Sequence, residues 1–267
     1  MEIASSVPAS IAAAWGVREQ PRKGPKPTLS LRRIVDAAVR VADSEGLDAV
    51  SMNRVAAEAG TAPMSLYRHV RGKDQLLDLM FDAAWGPPPE PARQGQDELW
   101  RDGLSRWAWT LRAGAQRHPW VVRIPLRGLP IMPNEVAWFE HALACLRDTG
   151  LTEARKASVV MLLAGYVRNL ATTEADIVSA MLASGQPPVE WMSSYARMLR
   201  ELTDPHRFPA LAAFLEAGVF ETADDPNEEF IFGLGRILDG IEALIEGSAS
   251  YTTKPEGGYL AVPPAAT

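Results

Sequence analysis

The sequence predicts an all-α protein: an N-terminal three-helix domain containing a helix-turn-helix, joined to a larger helical domain. Three observations carry this. Apolar residues recur at helical spacing through most of the 267 residues. No run of alternating β-branched residues reads as a strand. The stretch Val50–Val70, VSMNRVAAEAGTAPMSLYRHV, reads as two short helices about a tight glycine turn.

In chain order, residues 1–27 contain Pro8, Pro21, Pro25 and Pro27 and the basic cluster around Arg22, Lys23 and Lys26. They read as a flexible basic arm, either tracking DNA or simply solvated. Ser30–Gly46 sets Ile34, Ala38, Val41 and Ala42 on one helical face and stops at glycine. Within Val50–Val70, Ala56 is small where a second helix approaches, Gly60 can take the positive φ that ends the first helix, and Leu66 plugs the second helix into a core. Ser51 and Thr61 are the expected caps, and Pro63 falls in a first turn that needs no N–H partner. The recognition helix is expected over Ala62–Val70. A connecting helix opens at Arg71–Leu77, runs to about Trp85, and ends at the Gly86-Pro87-Pro88-Pro89 stop, so 28–85 forms one domain. The second domain, 86–248, is expected to hold helices over Leu99–Arg117, Asn134–Arg147 and Thr152–Ala183, another after Val189, and a last over Glu229–Glu246. Residues 249–267, with Gly257-Gly258 and Pro263-Pro264, read as a disordered tail.

The run IVDAAVRVADSEGLDAVSMNRVAAEAGTAPMSLYRHVRGKDQLLDLM, within Ser30–Trp85, resembles the DNA-binding domain of the TetR (tetracycline-repressor) family of transcriptional regulators. The resemblance implies a homodimer that presents two recognition helices to a near-palindromic double-stranded operator. It further implies a C-terminal domain that dimerises and takes a small-molecule effector of unknown identity.

Composition fits that reading. The net charge is −6, yet residues 18–75 carry eleven basic against seven acidic side chains, a net of +4, leaving −10 elsewhere. DNA affinity follows the local basic face, because each neutralised phosphate releases its own counterions. A hydrophobic content of 47% supplies a core, and no segment approaches the roughly 18 apolar residues of a membrane span. The N-terminus lacks a basic region followed by an apolar block, and the single cysteine, Cys145, suits a reducing compartment. A cytoplasmic protein without membrane association is expected.

By register with the family motif, Thr61, Pro63, Met64, Ser65, Tyr67, Arg68 and His69 fall on or near the DNA side, while Leu66 and Val70 point inward. Tyr67 and Ser65 have hydroxyls for phosphate, and Arg68 stands where the tetracycline repressor has an aromatic residue. His69 is expected packed or on the DNA backbone and not on a metal. Lys73, beside a helix N-terminus, suits a phosphate. Pro63 and Met64 bring no side-chain donors, so base readout leans on methyl contacts and DNA shape. For the effector, the expected pocket residues are Trp107, Trp138, Met161, Tyr166, Asn169 and Thr173, the last three polar and spaced along one face of the long helix. For the dimer, Phe230, Leu234, Ile237, Ile241 and Leu244 form a wide apolar face, and Gly233 and Gly240 admit a neighbouring helix.

Rival readings are weaker. The four histidines show no metal-ligand spacing, and His141 and Cys145, sharing a helix face, form the sole conceivable nucleophile or metal pair. No enzyme, cofactor or metal is expected. A non-specific DNA-architectural module would bind random and operator DNA alike. An activator, or a ligand-independent regulator of the same fold, remains the alternative to a ligand-released repressor.

Overall fold

In a computed structural model, the structure describes residues 9–16, 29–90, 99–126, 128–220 and 225–248. Every regular element among them is helical. In chain order these are α1 (Ala9–Ala14), α2 (Leu31–Glu45), a 3-10 turn (Leu47–Ala49), α3 (Met52–Glu58), α4 (Pro63–Leu66), α5 (Lys73–Trp85) and α6 (Trp100–Arg117). After α6 a 3-10 turn, Pro119–Arg123, leads to α7 (Pro133–Cys145). Then come α8 (Glu153–Ser184), α9 (Pro188–Leu202), α10 (Pro209–Glu216) and α11 (Glu228–Ser248).

Two cores organise these helices. The first joins α2, α3, α4 and α5 around Ile34, Val41, Val55, Leu66, Leu76 and Met80, none of them exposed. It extends past the expected boundary at residue 86, since Trp120, Val121 and Val122 of the 3-10 turn and Ala171 of α8 belong to it. The second core packs α6, α7, α8 and α11 around Leu104, Trp107, Trp138, Leu163 and Phe230. The two Trp side chains interlock edge to face with centroids 5.6 Å apart, and Trp107 donates its Nε1–H to the Trp138 carbonyl at 3.0 Å.

Several expectations are corrected here. Residues 9–16, expected within an extended arm, instead place α1 against α5, with Ile11 and Ala14 packed on the first core. Four alanines in six residues give this segment its helix propensity; the rest of the arm lies outside the described residues, as does the 249–267 tail. Helix α10 was not anticipated between Val189 and the acidic stretch. Phe230, Leu234 and Ile241, expected to face a second copy, are buried in this chain's own core at 0, 4 and 2% exposure. With Leu238 they form the inward line of α11, i, i+4, i+8 and i+11. Gly233 serves the same packing: a Cβ there would sit 2.6 Å from the ring of Tyr166.

Candidate nucleic-acid interface

The reading unit is assembled by local rules. Ser51 caps α3 by accepting the Arg54 N–H at 3.2 Å. Its other end closes in the Schellman pattern: Gly60, at φ +69°, donates to the Ala57 carbonyl at 3.1 Å and Thr61 to the Ala56 carbonyl at 2.9 Å. Thr61 is therefore committed to ending α3. The cap of α4 is Ala62, without a side-chain bond, and Pro63 occupies the first helical position. Regular α-helix covers only Pro63–Leu66, shorter than the expected Ala62–Val70, although the Val70 N–H still reaches the Leu66 carbonyl at 2.9 Å. Leu66 at 0% and Val70 at 1% exposure pin this turn to the core.

That anchoring turns the remaining side chains outward. Pro63, Met64, Tyr67, Arg68, His69 and Lys73 are exposed, and Thr61 and Ser65 half-buried. His69 is thus solvent-facing and not packed. Arg68 and Lys73 make no ion pair with another described residue. Lys73 is the first residue of α5, whose cap position, Gly72, offers no side-chain acceptor. The first N–H groups of a 13-residue helix and an ammonium thus lie side by side.

The basic surface is narrower than the charge count implied. Arg54 binds Glu45 and Glu58, and Arg40 binds Glu58 at 3.1 Å. Hydrogen bonds from Arg54 to Glu45, and from Arg40 and Arg54 to Glu58, hold both carboxyls below the usual range. These arginines are occupied within the fold. Arg32, in the first turn of α2, is paired only loosely with Asp36, at 3.8 Å, and keeps its side chain 92% exposed.

Polar contacts join this unit to the larger one. Asp43 of α2 accepts from Trp120 Nε1 and meets His118 Nδ1, both at 2.7 Å. Arg168 of α8 donates to the Val122 and Ile124 carbonyls at 2.9 and 2.7 Å. Asp82 of α5, only 7% exposed, accepts the backbone N–H groups of Asn134 and Glu135 at 2.9 and 3.0 Å. Burial pushes its carboxyl up to about 6, against the pull of those N–H groups. Asp82 carries no sequence signal, because its partners lie some fifty residues away.

The expected pocket residues are not brought together. Trp107 and Trp138 fill the second core, Tyr166 donates its hydroxyl to the Glu229 and Phe230 carbonyls at 2.9 and 3.1 Å, and Met161, Asn169 and Thr173 are exposed. Helix α8 buries Lys156, Val159, Val160, Leu163, Val167 and Ala171 and leaves its opposite side uncovered. On that side an open groove of about 450 Å³ runs between α8 and α11, lined by Leu162, Ile237, Gly240 and Leu244 among others. Two of the expected dimer residues, Ile237 and Leu244, thus line a groove. His141 Nδ1 and Cys145 Sγ are 3.8 Å apart, and among the described residues no cluster of His, Cys, Asp and Glu is placed to hold a metal. No helix among them is long and apolar enough to cross a membrane.

A short outward-facing turn, seated by buried leucine and followed by a lysine at a helix start, defines a helix-turn-helix DNA-binding regulator. Residues 34–80 match the family model "Bacterial regulatory proteins, tetR family", and residues 90–245 match "Tetracyclin repressor-like, C-terminal domain". The chain belongs to the TetR family of bacterial transcriptional regulators. It is 39% identical over 232 residues to the HTH-type transcriptional repressor DrrR1 of Streptomyces coeruleorubidus, covering 86% of this chain and 84% of that protein. It is 28% identical over 127 residues to the class E tetracycline repressor protein of Escherichia coli, covering 46% of this chain and 58% of that protein. The structure of the TetR family protein ActR of Streptomyces coelicolor in complex with actinorhodin superposes with a TM-score of 0.65 at 30% identity, over 82% of this chain and 97% of that one.

Proposed function

We propose that this regulator is a homodimeric repressor released from a near-palindromic operator by a small aromatic effector. The observation that carries the reading is the exposed Met64–Tyr67–Arg68 surface beside Lys73 at the start of α5, held by Leu66. Tyr67, Arg68, Ser65, Thr61 and His69 serve phosphates and base edges, Lys73 a phosphate, and Pro63 and Met64 thymine methyls and groove shape.

Dimerisation is supported by the outward side of α8 and α11. Leu162, Ile231 and Phe232 are 56, 53 and 65% exposed, and a Cβ at Gly165 or Gly240 would meet nothing within 4 Å. Helix-interior glycines cost about 1 kcal/mol each relative to alanine, and close approach of another helix offsets this. A second copy seated in the α8–α11 groove supplies that approach, and Ile237 and Leu244 are the expected residues that survive as its lining.

A relative supports an effector of this kind, since ActR has been solved with actinorhodin, and the name of DrrR1 as a repressor supports repression. With the tryptophan core already filled, the exposed apolar residues Ile177, Val178 and Leu182 of α8 and Tyr195 and Met198 of α9 are the side chains left to meet an effector. The reading assigns no catalysis to the chain. Mechanistically, the effector favours an orientation of the two reading heads that no longer matches successive grooves, and by linkage DNA and effector weaken one another. To test this, planar aromatic compounds, actinorhodin first, are screened for a rise in melting temperature. Binders are then titrated into the protein–DNA complex. Loss of DNA binding is expected, and an affinity unchanged by every saturating binder removes the release step.

A further inference from the structure

The first turn of α7 is a rigid seat gripped by residues that belong to the DNA-reading side. Glu135 Oε2 accepts the N–H groups of Ile131 and Met132, both at 3.1 Å, closing the turn on itself. The next two N–H groups, of Asn134 and Glu135, are taken by Asp82 Oδ1 of α5. Asn134 answers through Nδ2, which donates to the Asp82 carbonyl at 3.0 Å. From the N-terminal side, Trp15 donates its Nε1–H to the Ile131 carbonyl at 2.9 Å, and α1 behind it packs against α5.

Met132 stands at the cap position of α7 and is followed by Pro133. Asp82 therefore performs from a separate helix what a capping aspartate performs locally: it accepts orphan N–H groups and sets a negative charge at the positive end of the dipole. A buried carboxylate whose desolvation opposes its own ionisation is a poor choice for stability alone, since a well-packed apolar residue commonly folds as well. What it supplies is direction, because two N–H groups fix its position where apolar contact would let α5 slide. The clamp also includes α1, which precedes the residues matched by either family model.

We propose that Asp82 and Trp15 are positioning residues for DNA binding: they clamp α5, and with it the reading head, to the first turn of α7. This rests on the DNA-binding reading and not on release by an effector.

The test uses the full chain carrying Asp82→Asn, Trp15→Phe, or both. Amide exchange is followed by mass spectrometry without DNA or effector. In Asp82→Asn, exchange over residues 79–86 and 131–136 should rise by about tenfold, the effect of losing one charge-assisted hydrogen bond, while α2–α4 and α11 keep their protection. Affinity for a duplex enriched from random DNA by the unmodified chain should also fall by about tenfold. Because both residues serve one seat, the double variant should lose less than the product of the single losses. Trp15→Phe, at a surface position, keeps the test available if Asp82→Asn does not fold. Unchanged exchange at the joint, acceleration spread evenly over the chain, or full DNA affinity despite a loosened joint would each overturn the proposal. If the unmodified chain enriches no duplex, the DNA-binding reading fails, and the exchange pattern still decides whether the clamp exists.

Discussion

Replacing Asp82 by asparagine removes one titration from the folded state, and its consequence for stability has a definite sign. Burial raises the carboxyl from 3.8 to about 6. Below pH 3.8 the group is protonated folded and unfolded alike, and its contribution is fully present. As pH rises through about 6, the unfolded chain ionises freely while the folded chain must ionise a buried group, so stability is lost. Over the full range this amounts to about 3 kcal/mol, at about 1.4 kcal/mol per pH unit of displacement. Roughly half of it falls between pH 5 and 7.5. Urea unfolding of the native chain and of Asp82→Asn across that window isolates the effect, since every other group titrates in both. The native chain should lose about 1–2 kcal/mol relative to the variant as pH rises. A difference that is flat, or that grows in favour of the native chain, refutes the claim that burial outweighs the hydrogen bonds of Asn134 and Glu135 at this carboxyl.

Other predictions follow from packing and charge. Leu66→Ala deletes the side chain that seats a four-residue helix and should cost about 2–5 kcal/mol, abolishing DNA binding while the α6–α8–α11 core remains folded by far-ultraviolet circular dichroism. Lys73→Ala should weaken binding equally to all DNA sequences and reduce the slope of log K against log salt by about 0.9 per protomer; an unchanged slope removes Lys73 from the interface. Gly233→Ala sets a Cβ against the ring of Tyr166, which is held by two hydrogen bonds and stacked on Phe230. It should destabilise by about 1–3 kcal/mol despite the better helix propensity, and a raised melting temperature would contradict that packing.

What the sequence conveyed and what it concealed divide by range. The Ser51 cap, the Gly60 stop and the burial of Ala56 and Leu66 depend on residues within a few positions of one another, and the structure has all of them. Thr61 was misassigned as a cap because its N–H completes the Schellman closure of α3, which moves the start of α4 one residue on. The apolar residues of α11 cover so much of its circumference that periodicity cannot say which line turns inward. The line of Phe230, Leu234 and Ile241 meets α8 and α6, and Ile231 and Phe232 are left outside. The polar residues Asn169 and Thr173 looked like pocket residues because α8 was expected to be central, yet only one of its sides is covered in the chain. Asp82 was invisible for a different reason. An aspartate among Leu79, Met80, Phe81 and Ala84 gains its meaning only from a helix start about fifty positions later.

Selection of bound DNA from a random pool addresses the central claim most directly. A dimer presenting two recognition helices should enrich two inverted half-sites about one helical turn apart or a multiple of it. The enriched duplex should bind about 10³-fold or more tightly than unselected DNA at physiological salt. Enrichment of a single unrepeated half-site would contradict the dimer, and no enrichment at all would contradict sequence-specific reading by the surface around Tyr67, Arg68 and Lys73.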